Sequence, residues 1–408
     1  MKAVLVKSLL LFGARTRALS GVVNCTIDNF QSILDSNGTI DQVVYAQHYA
    51  ANSTFQNPNA TTLQFASNPV ALPATCAVQV NVTTEYQTHF SFGIFLPDDW
   101  NGRFFLAAQE GTNINWVDMA VGLRYRFASV ATDTGHTGSD MNGFWYLNPE
   151  SLNDWGWRAN HLGTVYGKLL TEQFYDTSIA YSYMAGCSTG GRQSFKEAQM
   201  FPEDFDGIIS ACPAYWTTHQ QFFNLKQTTF QYPSGSNHTI PTELFDLIGQ
   251  EAIRQCDPQD GLVDGLISDP LGCNFDYHSL LCIGSSNTSS CLTGPQLDTL
   301  HKFYSDWKED NDTFIYPHSL YGSEAMWNQS GIFGNGSISN IGSQYWYPQH
   351  ILGLTNFTFE NLTLDLIQWA EEVDPGQDQA SDWDLSPFYE RGGKLLHYHG
   401  HSDAIVPP

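Results

Sequence analysis

The segment Gly186-Cys187-Ser188-Thr189-Gly190 has the spacing of a G-x-S-x-G motif. In that motif a strand turns sharply into a helix, and the serine hydroxyl stands at the apex of the turn. The flanking glycines allow neighbouring backbone to pass where a Cβ atom would clash. The start of the helix offers backbone N–H groups and a positive dipole end to an oxyanion. The motif therefore predicts a serine nucleophile, and an ordinary glycine-rich turn is the alternative.

A second candidate site is the acidic segment 256–269, which reads CDPQDGLVDGLISD and holds four aspartates and two glycines. Calcium prefers several oxygen ligands, from carboxylates and carbonyls, on a tight loop. The segment is not an EF-hand, because Leu271 stands where loop position 12 would need Glu. A calcium site and a solvated acidic turn both remain open.

Several histidines could also do chemistry. His136, in TDTGH, precedes the serine, and a structural role near the edge of a sheet is favoured. His397, His399 and His401 alternate as ligands on one strand face would, but Gly400 interrupts that strand. Because residues i and i+2 share a face only while a strand continues, a structural role is favoured for these three as well.

Strands and helices alternate around the predicted nucleophile. Helices are predicted at 158–174 and from about Gly191 to residue 200, from apolar spacing and from the stop before Pro202. One strand is predicted to end just before Gly186. Strands are predicted at 76–96 (as a pair), 103–108, 127–133, 180–186, 206–211 and 392–400. This order indicates an α/β class with a parallel sheet and helical crossovers.

Residues 217–365, here called the lid segment, interrupt the alternation with four cysteines, many glycosylation sequons and few strand signals. An inserted lid over a sheet is where a hydrolase shapes its substrate pocket. We therefore predict a catalytic domain formed by 21–216 and 366–408, with the lid domain inserted between them. Three aromatic residues near the start of the lid could line an aromatic pocket or pack inside the lid, and both alternatives stay open: Trp216, Phe222 and Phe223.

Charge excludes some classes of partner. The chain has 408 residues, with 42 acidic and 17 basic side chains and a formal net charge of -25. Such a charge repels phosphate backbones and anionic lipid, so neither nucleic acid nor a membrane surface is expected as a partner. No run of 18 apolar residues is present, and a membrane-spanning helix is not predicted.

Glycosylation sequons and cysteines point to the secretory route. The chain carries twelve N-x-S/T sequons and eight cysteines without a CxxC pair. We therefore expect a secreted, extracellular glycoprotein. Residues 1–20 make at best a poor signal segment, because Arg15 and Arg17 follow a short apolar run.

Four segments together resemble the fungal tannase and feruloyl esterase family. They are WNGRF (100–104), TDTGH (132–136), the long run GCSTGGRQSFKEAQMFPEDFDGIISACPAYW (186–216) and GGKLLHYHGHSD (392–403). The likeness runs from about residue 75 to the end of the chain. It implies an α/β-hydrolase fold with a mainly parallel sheet and an inserted lid domain.

The resemblance assigns catalytic roles. Ser188 would be the nucleophile, and Asp403, in the family's H-G-x-x-D pattern, would be the acid of the triad. The backbone N–H of Thr189 would be the first oxyanion donor. The second donor, near Gln109 to Gly111, is in doubt because the family's glycine-rich run is shorter here and poor in glycine.

The family's catalytic base departs from the pattern. In the family the base is a histidine that follows the aspartate in the chain. The cysteine beside that histidine forms a disulfide with the cysteine next to the serine, which here is Cys187. None of the thirteen histidines follows Asp403, and the sequence ends at Pro408. We expect an incomplete member whose triad histidine lies beyond Pro408. The alternative is an inactive product that only binds aromatic ligands.

The resemblance also implies a structural calcium ion and a set of disulfides. The calcium ligands would be the side chains or carbonyls of Asp257, Asp260, Leu262, Asp264 and Leu266. The implied disulfides are Cys256–Cys273 and Cys282–Cys291. We expect Cys25–Cys76 as a further pair. Cys212 is left over and is expected to be a buried free thiol.

The sequence thus predicts a secreted serine carboxylic ester hydrolase that forms an acyl-enzyme. The resemblance implies esters of phenolic acids as substrates, as small molecules or in cell walls, with feruloyl and galloyl esters both open. Calcium is the expected cofactor, with a structural role. The sequence leaves the oligomeric state open.

Overall fold

The computed structural model describes residues 24–38, 41–58, 68–109, 113–136, 147–284, 288–309, 311–330 and 345–408. The predicted signal segment 1–20 and the sequon at Asn335 lie outside the described residues. Within the described part, no helix is both long enough and apolar enough to cross a membrane.

One large sheet organises the molecule. In chain order the strands are β1 (Gln42–Tyr49), β2 (Thr75–Thr83), β3 (His89–Pro97), β4 (Arg103–Ala108), β5 (Ala128–Thr132), β6 (Tyr181–Cys187), β7 (Gly207–Ala211), the short pair β8 (Trp307–Lys308) and β9 (Phe314–Tyr316), and β10 (Lys394–Tyr398). Eight of them form the sheet in the order β1-β2-β3-β5-β4-β6-β7-β10. The pairs from β5 through β10 are parallel, and β1, β2, β3 and β5 pair antiparallel.

Helices connect the strands and cover the sheet. In chain order they are α1 (Ile27–Ser36), α2 (Trp116–Arg124), α3 (Pro149–Asn153), α4 (Ala159–Tyr175), α5 (Thr189–Met200), α6 (Thr217–Phe230), α7 (Phe245–Cys256), α8 (Gly294–Phe303), α9 (Glu324–Ser330), α10 (Leu364–Val373) and α11 (Ser386–Glu390). The strand–helix–strand order β6–α5–β7 gives the parallel crossover that the sequence predicted.

The two faces of the sheet are covered differently. On one face, Phe104, Met184 and Ile208 belong to a core closed by α1, α4 and α5. On the other face, α2 covers β3 and β5 through Trp116 and its neighbours. Farther along that second face, the described residues leave an open apolar depression of about 670 Å³ between β4 and β10.

Two further apolar clusters fill the lid segment. One joins α7, α8 and Trp327, and the other joins α6, Tyr347 and α10. Both reach residues outside the lid segment: Ala404 in the first, Leu152 and Trp155 in the second. The predicted division at residue 365 falls inside α10, and the domain boundaries stay a prediction.

Three disulfides are formed, and they are the three that the sequence analysis named. Cys25–Cys76 ties the segment before α1 to β2, with Cα atoms 5.7 Å apart. Cys256–Cys273 and Cys282–Cys291 lie in the lid segment and close the acidic segment and a short neighbouring loop. Such crosslinks stabilise a fold mainly by restricting its unfolded state.

Candidate active site

Ser188 is the only residue between the end of β6 and the start of α5. Its backbone has φ 59° and ψ −119°, a conformation that is strained for a residue with a side chain. The predicted strand end before Gly186 and helix start at Gly191 were both too far from the serine. The strand runs on through Cys187 and the helix begins at Thr189, so the whole change of direction falls on Ser188.

The bend requires glycine at two positions, because backbone atoms lie where a Cβ atom would be. A Cβ atom on Gly186 would lie 2.4 Å from the carbonyl oxygen of Gly190. A Cβ atom on Gly190 would lie 2.4 Å from the carbonyl oxygen of Ala108, at the end of β4. Neither contact can be relieved by a side-chain rotation, so both positions require glycine.

Hydrogen bonds fix the backbone of the bend on both sides. The N–H of Ser188 donates to the carbonyl of Ala211 at 3.0 Å. The Ser188 carbonyl accepts from the N–H groups of Arg192 at 3.0 Å and Ala214 at 3.3 Å. Arg192 is itself buried and donates to the carbonyl of Asp378 at 2.8 Å. Ser188 is therefore held by β7, by α5 and, through Arg192, by the segment that precedes α11.

The start of α5 can receive an oxyanion. The N–H of Thr189 belongs to the first turn of that helix, where backbone donors have no intrahelical partner. The backbone nitrogen of Gln109 lies 2.9 Å from the point that a Cβ atom on Gly190 would occupy, so the chain after β4 passes directly over the helix start. Of the residues expected to hold the second donor, Gln109 therefore lies beside the helix start, whereas Glu110 and Gly111 lie outside the described residues.

Asp403 lies in the turn that follows β10. One carboxylate oxygen accepts from the N–H groups of Ile405 at 3.0 Å and Val406 at 2.9 Å. The other lies 3.8 Å from Nε2 of His399, which in turn contacts the carbonyl oxygen of Val406 at 2.6 Å. Because β10 pairs in parallel with β7 and β7 with β6, this turn and Ser188 both lie beyond the carboxyl ends of the parallel strands.

Two free thiols lie between the serine and this turn. Burial, contact with the Cys212 thiol and the charge of Asp403 raise the pKa of Cys187 to about 11. Cys212 is a free thiol, as predicted, but it is half-buried rather than buried. It follows directly after β7, with a left-handed backbone conformation of φ 41°. No sequence pattern indicates that these thiols meet, since they are 25 positions apart in the chain.

The histidines that were candidates occupy three different settings. His136 is buried, and burial lowers its pKa to about 4, as suits a structural residue. His397 packs edge-on against Phe195, with ring centroids 5.6 Å apart. His401 is exposed, so the histidines around Gly400 do not converge on one point. Within the described part of the chain, the Ser188 hydroxyl makes no hydrogen bond with any of them.

The aromatic residues near the start of the lid segment are divided between two roles. Phe222 and Phe223 are 0% and 2% exposed and belong to the lid core, so they pack rather than line a pocket. Trp216 is half-buried, stacks on His219 at 3.8 Å and donates to Glu371 at 2.9 Å.

The acidic segment folds as a ring of turns around its aspartates. The Asp257 carboxylate is buried and accepts from the N–H groups of Asp264 at 3.0 Å and Gly265 at 3.1 Å. Asp260 accepts from Leu262 and Ser268. No basic side chain forms an ion pair with these aspartates among the described residues. Their carboxylates also do not converge within 4.8 Å of one another, so an ion would need carbonyl ligands such as those of Leu262 and Leu266.

Comparison with known proteins gives a consistent result. The family model described as "Tannase and feruloyl esterase" matches residues 75–408. Proteins of Neosartorya fischeri and Aspergillus fumigatus, both named "Probable feruloyl esterase B-1", are 34% and 35% identical over 89% and 84% of this chain. The chain spans 71% and 64% of their respective lengths.

A solved structure supports the fold. The crystal structure of feruloyl esterase B from Aspergillus oryzae superposes with a TM-score of 0.83 at 32% identity, and the match covers 93% of this chain and 76% of the other. The sheet order, the bend at Ser188 and this superposition identify an α/β-hydrolase fold. The chain belongs to the tannase and feruloyl esterase family of carboxylic ester hydrolases.

Proposed function

We propose that this chain hydrolyses esters of phenolic acids through an acyl-enzyme formed on Ser188. The observation that carries the proposal is the bend itself, which places a strained serine at the N-terminus of α5. The Ser188 oxygen attacks the ester carbonyl carbon, and its proton passes to a base. The resulting oxyanion accepts hydrogen bonds from the N–H groups of Thr189 and Gln109. The alcohol leaves with a proton, and water then releases the acid.

Asp403 has the role of orienting and stabilising the base. Its remaining carboxylate oxygen is free of the backbone N–H groups that hold the first, and its side chain is 26% exposed. A histidine held by this oxygen would be fixed in one tautomer and stabilised when protonated. None of the thirteen histidines in the sequence follows Asp403, so the base is the one member without an assigned residue.

The substrate class rests on the relatives. Those that match this chain at 34–35% identity are named as feruloyl esterases. A net charge of -25 disfavours polyanionic substrates and is compatible with uncharged esters of aromatic acids. Feruloyl and galloyl esters share an aromatic acyl group, and the test below uses one ester of each kind.

The test supplies a base from solution. We would follow hydrolysis of methyl ferulate and methyl gallate by the 408-residue chain as imidazole is added, since a small base can act in place of a general base on the protein. We expect turnover to rise with imidazole in the parent chain and in the exposed control Ser402→Ala, but not in Ser188→Ala. An equal rise in Ser188→Ala would end the assignment of the nucleophile.

A second candidate function is binding without turnover. It is favoured by one observation, that Ser188 Oγ has no hydrogen-bond partner within the described part of the chain. A chain that binds ferulate in a calorimetric titration, yet shows no Ser188-dependent hydrolysis with imidazole, would be a binding protein. Hydrolysis that depends on Ser188 would remove this candidate.

We further propose that the acidic segment holds a structural calcium ion. Its buried Asp257 carboxylate, its carbonyls and its lack of a described cationic partner fit the oxygen chemistry of calcium. Bound calcium would stabilise the lid segment without touching the reaction. We expect calcium to raise the thermal midpoint of the parent chain and to leave that of Asp257→Asn/Asp264→Asn unchanged. An equal rise in both would exclude this site.

Secretion is proposed on three features. The chain forms three disulfides, which persist in oxidising compartments. Nine of the sequon asparagines are described and solvent-exposed, namely Asn24, Asn37, Asn52, Asn81, Asn237, Asn311, Asn328, Asn356 and Asn361. Fungal relatives share the fold. Expression in a fungal host should give a glycosylated product in the medium, and an unglycosylated intracellular product would contradict this.

A further inference from the structure

A second cluster of potential ligands lies at the far end of the helix that begins beside Ser188. His161 projects from α4, Glu197 from α5, and Asp204 from the turn between α5 and β7. One ligand atom from each lies within 4.8 Å of the other two. Glu197 is nine positions along α5 from Ser188, about 13 Å by helical rise, so the cluster is separate from the candidate active site.

Glu197 is the least satisfied member of the cluster. Its side chain is 2% exposed, and neither carboxylate oxygen has a hydrogen-bond partner among the described residues. An ionisable group is rarely buried without a partner, because desolvation of an unpaired carboxylate is costly. A cation held by the neighbouring ligands would supply the partner that the described residues do not provide for this carboxylate.

The other two members are already positioned by neighbours. Nδ1 of His161 lies 2.7 Å from a carboxylate oxygen of Asp204. The imidazole stacks flat on Phe201, with ring centroids 3.6 Å apart and an interplanar angle of 12°. Asp204 is fixed by its own N–H, which donates to the Phe201 carbonyl at 3.0 Å. The three side chains are thus held together by packing rather than meeting by chance on a mobile surface.

Lys168 does not neutralise the cluster directly. Its ammonium group donates to the backbone carbonyl of Asp204, and it forms no ion pair with Glu197 or with the Asp204 carboxylate among the described residues. With both carboxylates ionised and Lys168 charged, one negative charge remains in a largely buried space. Burial and the nearby Asp204 raise the pKa of Glu197 well above its usual range. This shift agrees with the absence of a described positive charge that pairs with the Glu197 carboxylate.

We propose that His161, Glu197 and Asp204 bind a divalent transition-metal ion such as Mn²⁺ or Zn²⁺. One imidazole nitrogen and two carboxylate oxygens form a mixed ligand set that suits these ions. Water would complete the coordination. In the metal-free chain, Nδ1 of His161 carries the proton that it donates to the Asp204 carboxylate. To bind the ion through Nδ1, His161 releases that proton or moves it to Nε2, and any proton on Glu197 is released as the ion enters.

The ion would act as a structural crosslink. It would tie α4 to the last turns of α5 and to the segment leading into β7, the strand whose Ala211 carbonyl holds the Ser188 N–H. Because a ligand that binds only the folded state stabilises it, metal binding should raise the temperature of unfolding. No step of ester hydrolysis passes through this ion.

The test uses MnCl₂ and the 408-residue chain. Saturating CaCl₂ occupies the acidic segment, and prior alkylation with iodoacetamide blocks accessible thiols. Equilibrium dialysis, with free Mn²⁺ read by electron paramagnetic resonance, should then give one bound ion per chain. We expect at least a tenfold loss of affinity in Glu197→Gln and in His161→Gln, since changes even to outer-shell partners typically cost about 10–100-fold.

The matched control is His318→Gln. His318 makes the same histidine–aspartate contact, 2.7 Å from Asp306, but belongs to no three-ligand group among the described residues. This variant should bind Mn²⁺ like the parent chain. Absence of Mn²⁺ binding by the parent chain, or binding that Glu197→Gln leaves unchanged, would overturn the proposal. In that case Glu197 is simply a protonated buried acid. Asp204→Asn provides the same reading if Glu197→Gln does not fold.

Discussion

The bend at Ser188 and the turn at Asp403 both lie at the carboxyl ends of the parallel strands, but they are held in different ways. Backbone atoms fix the bend: Gly186 and Gly190 are closed in by carbonyl oxygens, and α5 is anchored through buried Arg192. The turn is fixed mainly by one side chain, since Asp403 accepts the N–H groups of Ile405 and Val406. Its strand, β10, is the outermost of the sheet and largely exposed.

The difference shows that the two candidate catalytic residues depend on the fold to different degrees. A nucleophile must keep its angle to the oxyanion donors, and interior backbone contacts would determine that angle if Ser188 has the proposed role. An acid that acts through a base tolerates more freedom, and a local turn is enough to hold it. Substitutions in the bend should therefore damage folding, whereas substitutions in the turn should act locally.

The largest expected contrast is between two glycines. Gly190→Ala places a Cβ atom 2.4 Å from a backbone oxygen and should cost more than about 4 kcal/mol of unfolding free energy, or prevent folding. Gly400→Ala has no atom within 4 Å of the new Cβ and should cost less than about 0.5 kcal/mol. Urea denaturation of both variants measures the contrast, and similar losses would remove it.

A smaller effect is expected at the turn. Asp403→Ala removes the acceptor of two backbone N–H groups and should destabilise the chain by about 1–2 kcal/mol. Asp403→Asn keeps an oxygen acceptor and should lose less stability, although both variants lose the charge that stabilises a protonated base. Thermal or urea denaturation separates the two. An equal loss of stability would mean that the turn depends on charge rather than on hydrogen bonding.

The smallest effect concerns the thiol between the two regions. The pKa of Cys187 is raised to about 11, so the neutral thiol dominates at pH 8 and alkylation should accelerate about tenfold per pH unit up to that value. Because the Asp403 charge contributes to this rise, Asp403→Asn should lower the pKa and speed alkylation at pH 8. Peptide-resolved iodoacetamide kinetics checks this, and an unchanged rate would indicate that Asp403 is farther away.

Local sequence patterns predicted seven of the eight strands of the sheet but missed β1 and missed how the bend is made. The strand predicted at 103–108 matches β4 residue for residue. The disulfides Cys256–Cys273 and Cys282–Cys291 were implied by the family resemblance rather than by a local pattern, and the further expected pair Cys25–Cys76 is also formed. The predicted limits of β6 and α5 are wrong because glycine usually interrupts regular structure. In the fold Gly186 lies inside β6 and Gly190 lies inside α5. Both are glycine because contacts with Ala108 and with each other exclude a side chain.

Other features depend on contacts between distant parts of the chain. Cys187 meets Cys212 only because β6 and β7 pair and Cys212 then adopts a left-handed backbone. The buried group of His161, Glu197 and Asp204 combines two helices and a turn, none of which carries a recognisable ligand spacing. The open apolar depression between β4 and β10 follows from sheet order, which strand patterns do not specify.

The central claim is that the hydroxyl of Ser188 becomes covalently acylated. The most direct measurement is mass spectrometry of the chain quenched during reaction with an activated aryl ester of ferulic acid in the presence of imidazole. We predict one feruloyl group per chain, located on the peptide that contains Ser188 and absent from Ser188→Ala. Turnover accompanied by a feruloyl group on another residue, or by none at any quench time, would contradict the account.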